Sequence, residues 1–279
     1  MKRIYFLGMM LALTLAVHAQ TKQLLVLHTN DTHSTVYPLN SLLADTTVAG
    51  RGGFMRRIAM LKEERQRNPD LLYFDSGDFS QGSSFYSMFK GDVEVELMNR
   101  MGVDAATIGN HEFDYGLENM ARLFRMANFP IVCSNYDFTG TPCEGLVKDY
   151  IILKRKGLKI GVFGLCPAMD GLVSADNCKG VIYRDPVAEA RRVVALLKKK
   201  CDAIICISHL GWQLPNNDVD DERLVKATSG IDLVLGGHSH TYMNTVEQVA
   251  NADGKLIPVD QNGKHGIFIG RLVMDFKKK

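Results

Sequence analysis

Apolar positions along the chain follow two rhythms. Continuous apolar runs at Leu24-Leu25-Val26-Leu27, Leu71-Leu72-Tyr73-Phe74, Ala105-Ala106-Thr107-Ile108, Ala203-Ile204-Ile205-Cys206-Ile207 and Leu233-Val234-Leu235 have the length and composition of buried strands. Between them the spacing turns helical. Phe54, Ile58 and Leu61 recur at i, i+4 and i+7 and mark an amphipathic helix ending near Pro69. Further helices are predicted over Val93–Met101, over Leu117–Ala127, and over Val187–Lys200, where Val187, Ala190, Val194 and Leu197 form the core stripe. Another is expected between the strands Ala203–Ile207 and Leu233–Leu235. Ile131–Cys133 reads as a strand, and Ile151–Leu153 with Lys159–Leu165 reads as a hairpin about the Lys154–Gly157 turn. Leu256–Val259 and Ile267–Phe276 form a closing pair, and Tyr37–Gly50 reads as loop. The pattern is α/β with hairpins mixed in, consistent with two packed sheets flanked by helices.

The first residues break this pattern. Lys2-Arg3 precede an apolar stretch from Ile4 to Val17, and Val17-His18-Ala19 closes it with small residues. Residues 1–19 are therefore expected to be a secretory signal peptide, cleaved after Ala19. The stretch is short for a membrane span, and no later segment is long and apolar enough for one. The mature protein is expected to be secreted or periplasmic, with residues 20–279 forming one domain. Without Lys2 and Arg3 the basic count falls from 33 to 31, equal to the 31 acids. A charge near zero argues against nucleic acid as a partner. Export permits disulfides among the six cysteines. Cys133–Cys143 and Cys166–Cys178 are plausible loop closures, while Cys201 and Cys206 bracket a strand and are expected on opposite faces.

Each of the five apolar runs is followed by metal-binding residue types: Asp31-Thr32-His33, Gly77-Asp78, Gly109-Asn110-His111-Glu112, Ser208-His209 and Gly237-His238-Ser239-His240. Five such segments at five strand ends describe one site at a sheet rim. An extended strand places residues i and i+2 on one side, so Asp31 with His33, and His238 with His240, can share an ion. Carboxylate plus imidazole suits zinc, manganese or iron rather than calcium. Asp31, His33, Asp78, Asn110, His209, His238 and His240 make more candidates than one open site needs, which implies two divalent ions. Asp78 is the natural bridge, having two carboxylate oxygens. Two ions roughly 3.5–4 Å apart can hold a shared hydroxide, lower the pKa of water from about 15.7 toward about 7, and neutralise phosphate oxygens for in-line attack. His111 sits beside a ligand without needing to be one. It can contact a phosphoryl oxygen, as Asn110 can, and protonate the leaving alkoxide, while Asp114 can orient its imidazole and favour the charged form.

The strings Leu27-His28-Thr29-Asn30-Asp31-Thr32-His33, Gly77-Asp78-Phe79-Ser80-Gln81-Gly82, Gly109-Asn110-His111-Glu112-Phe113-Asp114-Tyr115-Gly116, Ser208-His209-Leu210-Gly211 and Gly236-Gly237-His238-Ser239-His240 resemble the calcineurin-like metallophosphoesterases. More narrowly, with Gln261–Gly266 and Gly270-Arg271-Leu272, they resemble the amino-terminal catalytic domain of the secreted 5′-nucleotidases, UDP-sugar hydrolases and 2′,3′-cyclic phosphodiesterases. The resemblance spans about residues 22–276 and implies a four-layer α/β/β/α metallophosphoesterase sandwich. It implies one ion on Asp31, His33, Asp78 and His240, the other on Asp78, Asn110, His209 and His238, and a catalytic pair of His111 and Asp114. The family usually continues into a second, nucleotide-binding domain. Its absence from this sequence leads to the expectation that a separate chain supplies it or that the protein is a less selective phosphatase.

The expected function is thus an exported, dinuclear metal-dependent phosphoester hydrolase, a 5′-nucleotidase by preference. The rival readings are a metallophosphoesterase nuclease and a catalytically silent nucleotide-binding or scaffold subunit. Among nearby polar residues, His28 is expected to pack behind the site, Asp75 to cap the loop, and Glu112 to be structural or solvent-facing. Asn135 could reach the site but is more simply structural. Gly77, Gly109, Gly236 and Gly237 are expected to allow close backbone approach or unusual dihedrals.

Overall fold

A computed structural model describes residues 21–276; the expected signal peptide, residues 1–19, lies outside the described residues. The strands in chain order are β1 Lys22–Thr29, β2 Leu72–Asp75, β3 Ala105–Ala106, β4 Ile131–Val132, β5 Tyr136–Asp137, β6 Val147–Lys148 and β7 Tyr150–Arg155. They continue with β8 Leu158–Leu165, β9 Ile182–Tyr183, β10 Ala203–Ser208, β11 Leu233–Leu235, β12 Glu247–Ala250, β13 Leu256–Asp260 and β14 Gly270–Phe276. The helices are α1 Phe54–Arg67, α2 Ser84–Phe89, α3 Asp92–Met101, α4 Gly116–Met126, α5 Pro186–Leu197 and α6 Asp221–Ala227.

Two six-stranded sheets face each other, one ordered β14-β1-β2-β3-β4-β6 and the other β12-β13-β11-β10-β8-β7. Leu24, Val26, Leu72 and Phe74 of the first sheet share a middle core with Ile160, Val162, Ile205 and Ile207 of the second. Truncating Phe74 or Ile205 there to alanine would cost about 2–5 kcal/mol. On the outer face of the first sheet, α1, α3 and α4 bury Leu61, Val95, Met98 and Met120. On the outer face of the second, α5 and α6 bury Val193, Leu197, Leu224 and Val225. This is the expected four-layer α/β/β/α sandwich, a single domain.

Local chemistry sets the element ends. α5 opens with Pro186 in its first turn and the Asp185 side chain accepting from Ala188 N–H. Gly102 closes α3 in a left-handed conformation, and α1 stops at Asn68, before Pro69. The strands that lead to the site, β1, β2 and β3 in one sheet and β10 and β11 in the other, run parallel within their sheets. Their carboxyl ends therefore gather at one end of the sandwich.

Several expectations needed correction. Leu256–Val259 and Ile267–Phe276 do not pair: β13 joins β11 and β12, while β14 crosses to the other sheet and runs antiparallel to β1. Neither plausible loop closure forms. Cys133 and Cys143 are separate free thiols, as are Cys166 and Cys178, and Cys133 instead faces Cys166 across the two sheets with sulfurs 3.3 Å apart. Cys201 and Cys206 both pack toward the α5/α6 core, because Cys201 lies in the turn before β10 and outside its pleat.

Candidate metal centre

All seven predicted ligands come together, and they do so across the rims of two sheets rather than one. Asp31, His33, Asp78 and Asn110 follow β1, β2 and β3; His209, His238 and His240 follow β10 and β11. Three overlapping groups have ligand atoms close enough to share a cation: Asp31, His33 and His240; His33, Asp78 and His111; and Asp78, His209 and His238. Asp78 belongs to two of them.

The pleat is not what pairs these residues. β1 ends at Thr29 and β11 at Leu235, and the ligands lie beyond in left-handed backbone: Asp31 at φ 49°, His33 at 42°, Asp78 at 53°, His238 at 78° and His240 at 54°. Such conformations cost about 1–3 kcal/mol each in a non-glycine residue and persist only where surrounding structure imposes them. The imposition is visible. Asp31 N–H donates to Gly77 carbonyl at 2.9 Å and His33 N–H to Asp78 carbonyl at 3.0 Å, lacing the first loop to the second. Glycine is required where loops nearly touch: a Cβ on Gly109 would lie 2.1 Å from Asp78 Oδ1, and one on Gly77, at φ +85°, would lie 2.7 Å from Gly109 N.

The polar groups are aimed inward. Asp31 Oδ2 accepts from Asn30 Nδ2 at 2.7 Å and from His238 N–H at 2.9 Å, which turns Oδ1 toward His240 Nε2 at 3.4 Å and His33 Nε2 at 3.8 Å. The Nε2 atoms of His33 and His240 face each other at 2.9 Å. His209 Nδ1 meets the Ser76 carbonyl at 2.6 Å, which requires a proton on Nδ1. Its Nε2 is fully buried and faces Asp78 Oδ2 at 3.1 Å. His238 Nδ1 lies 3.0 Å from Asn110 Oδ1. Facing ring nitrogens and a buried Nε2 set against a carboxylate suit divalent cations, and carbonyl contacts of the Ser76 kind, made through the ring's other nitrogen, are what orient metal-binding imidazoles.

Electrostatics agree. Burial lowers the pKa of His33, and burial with repulsion from His209 lowers that of His238 to about 4, so both rings stay neutral and offer lone pairs. Burial opposes charge on Asp78, but the His209 imidazole outweighs it and holds the carboxyl below its ordinary range. His111, beside His33 and Asp78 and half-buried, has Nδ1 3.1 Å from Asp114 Oδ2. Burial opposes its protonation, yet the hydrogen bond to Asp114 and the Asp78 charge leave its pKa raised.

Other residues divide as follows. Glu112 is structural and fully buried, not solvent-facing: Oε2 accepts from Asp78 N–H at 3.0 Å and Gly109 N–H at 2.6 Å, and Oε1 from Ser80 N–H at 3.1 Å. Asp75 caps its loop as expected, accepting from Gly77 N–H at 3.2 Å. His28 packs behind the site against Asp260, at 2.9 Å. Asn135 does not reach the site; its side chain is spent on the Cys166 backbone, at 2.8 and 2.9 Å. His265, which no strand-end run marks, also lies against the site. Its N–H donates to the Asp31 carbonyl at 2.7 Å and its ring centroid lies 6.0 Å from that of His33. The only sequence signal for it was its place within Gln261–Gly266.

A four-layer sandwich with imidazole–carboxylate clusters at the strand ends of both sheets is the architecture of a metallophosphoesterase. The model of the family described as calcineurin-like phosphoesterase matches residues 24–242, and the chain belongs to that family. It is similar to the snake venom 5′-nucleotidase of Gloydius brevicauda, 31% identical over 284 residues that cover 95% of this chain and 47% of that protein. The 5′-nucleotidase of Bos taurus is 29% identical over 281 residues, covering 94% of this chain and 48% of its own length. Among solved structures, the 5′-nucleotidase precursor from Thermus thermophilus superposes with a TM-score of 0.83 at 28% identity, covering 92% of this chain and 52% of that one. The calcineurin-like phosphoesterase YfkN from Bacillus subtilis gives 0.76 at 25% identity, covering 93% and 87%. The chain spans about half the length of the curated relatives it matches. Among the described residues no helix is long and apolar enough to cross a membrane.

Proposed function

We propose that this protein is an exported phosphoester hydrolase that uses two divalent ions and acts on 5′-nucleotides. The observation that carries the reading is Asp78, which belongs at once to a group with His33 and His111 and to a group with His209 and His238. One ion would be held by Asp31, His33, Asp78 and His240, and the other by Asp78, Asn110, His209 and His238. Zinc or manganese suits these donors. When bound, the ions supply charge neutralisation for the phosphate and a lowered pKa for attacking water.

The chain's own groups do the rest. Asn110 and His111 bind phosphoryl oxygens. Asp114 holds the His111 ring by Nδ1, which leaves Nε2 to carry a proton toward the departing alkoxide. Glu112 keeps the Asp78 and Gly109 loops at fixed separation. The 5′-nucleotide preference rests on the relatives, of whose length the chain spans about half, and the hydrolytic step rests on the residues named above.

The test is a substrate panel on the purified full chain loaded with zinc or manganese, comparing a 5′-mononucleotide, a 2′,3′-cyclic nucleotide and single-stranded DNA. The 5′-mononucleotide should release phosphate fastest, and His111→Ala should lower kcat by about 10²–10⁴-fold. Nucleotide binding without hydrolysis would favour a silent subunit, and faster cleavage of DNA would favour a nuclease.

A further inference from the structure

Three arginines, Arg51, Arg56 and Arg57, surround a second cavity at the start of α1. It has a volume of about 280 Å³ and is completed by the apolar side chains of Met60, Ile267 and Ile269. Arg51 and Arg56 are exposed, whereas Arg57 is only 3% exposed. The Arg57 guanidinium packs closely against Phe54 and Gly266: Cζ sits 4.0 Å over the Phe54 ring centroid, and a Cβ on Gly266 would come within 2.9 Å of Cζ.

Packed this way, the Arg57 guanidinium lies near Tyr73 and Asp75, yet two of its nitrogens, Nε and Nη2, are buried and have no hydrogen bond. Asp75 feels the Arg57 charge, yet burial pushes that carboxyl up to about 7, so near neutral pH it is only a partial counter-charge. A desolvated cation without a full counter-charge is costly, and an anion alongside removes the cost. The surroundings favour one. α1 has 14 residues and begins at Gly53 without a side-chain cap, so the positive end of its dipole adds to the three guanidinium groups. A guanidinium fork matches the oxygens of phosphate in particular.

We propose that this cavity binds a phosphate-class oxyanion at a site separate from the metal centre, with the apolar wall of Met60, Ile267 and Ile269 receiving any organic group attached to it. Free phosphate and the phosphoryl head of a monoester share this chemistry. None of the seven predicted metal ligands lines this cavity, and at its edge a Cβ on Gly52 would meet the His265 carbonyl at 3.0 Å.

Equilibrium dialysis of the metal-loaded full chain tests this, with inorganic phosphate in one arm and butylphosphonate, which cannot be hydrolysed, in the other. The expected result is saturable binding that survives Asp78→Asn and weakens at least tenfold in the surface double variant Arg51→Ala/Arg56→Ala. Arg57→Met should abolish it, and the double variant decides the matter if Arg57→Met fails to fold. Tighter binding of butylphosphonate would assign the site to an ester, and tighter binding of phosphate to the free ion. Binding that disappears entirely with Asp78→Asn, or that ignores the arginine substitutions, would overturn the proposal.

Discussion

His209 meets Asp78 with its Nε2 3.1 Å from Oδ2, while its opposite nitrogen is tied to the Ser76 carbonyl. Burial opposes charge on this ring, but Asp78 and then Asp31 push its pKa up to about 10. A cation entering beside Asp78 must displace that proton. Metal affinity is therefore expected to rise with pH between about 6 and 8, by up to about tenfold per unit for each proton displaced. Chelator competition at several pH values measures it, and His209→Ala should bind metal more weakly at each. A flat profile would mean that the ring is not a ligand.

The His111–Asp114 pair gives a separate pH signature. Asp114 contributes to a raised His111 pKa, so the imidazole stays protonated to higher pH than an ordinary histidine. If the charged ring donates the proton to the leaving group, activity falls as pH rises through that pKa. Asp114→Asn removes the supporting charge, lowers the pKa, and should move the alkaline limb of the kcat profile to lower pH. An unmoved limb with reduced kcat would leave Asp114 a purely structural part.

Glu112 should matter for stability and metal binding without touching substrate. Glu112→Ala strands the N–H groups of Asp78, Ser80 and Gly109, and each buried donor left unsatisfied costs about 1–3 kcal/mol. Urea unfolding should show a loss of that order, and metal content should drop in the chains that remain folded. Unchanged stability would show that water replaces the carboxylate easily and that the loops do not depend on it.

The strand ends were legible because each apolar run stops where the polar donors begin, and a parallel sheet sends those ends to one side. Which residues became ligands was legible in residue type. How they converge was not: Asp31 and His33 are brought together by left-handed turns laced to the Gly77–Asp78 loop. That lacing joins loops far apart in the chain, and no local periodicity carries it. The burial of Glu112 and the place of His265 were not legible for the same reason, since their roles are bonds to backbone in other loops. The cysteines mislead through nearness in sequence, whereas Cys133 and Cys166 meet because β4 and β8 lie in facing sheets.

The central claim, that Asp78 is shared by two ions, is tested most directly by counting metal in the purified full chain and in Asp78→Asn by mass spectrometry of the digested protein. The account predicts about two divalent ions per chain in the parent, and loss of both, with loss of phosphatase activity, in the variant. An active parent chain holding a single ion, or an Asp78→Asn chain retaining two, would contradict it.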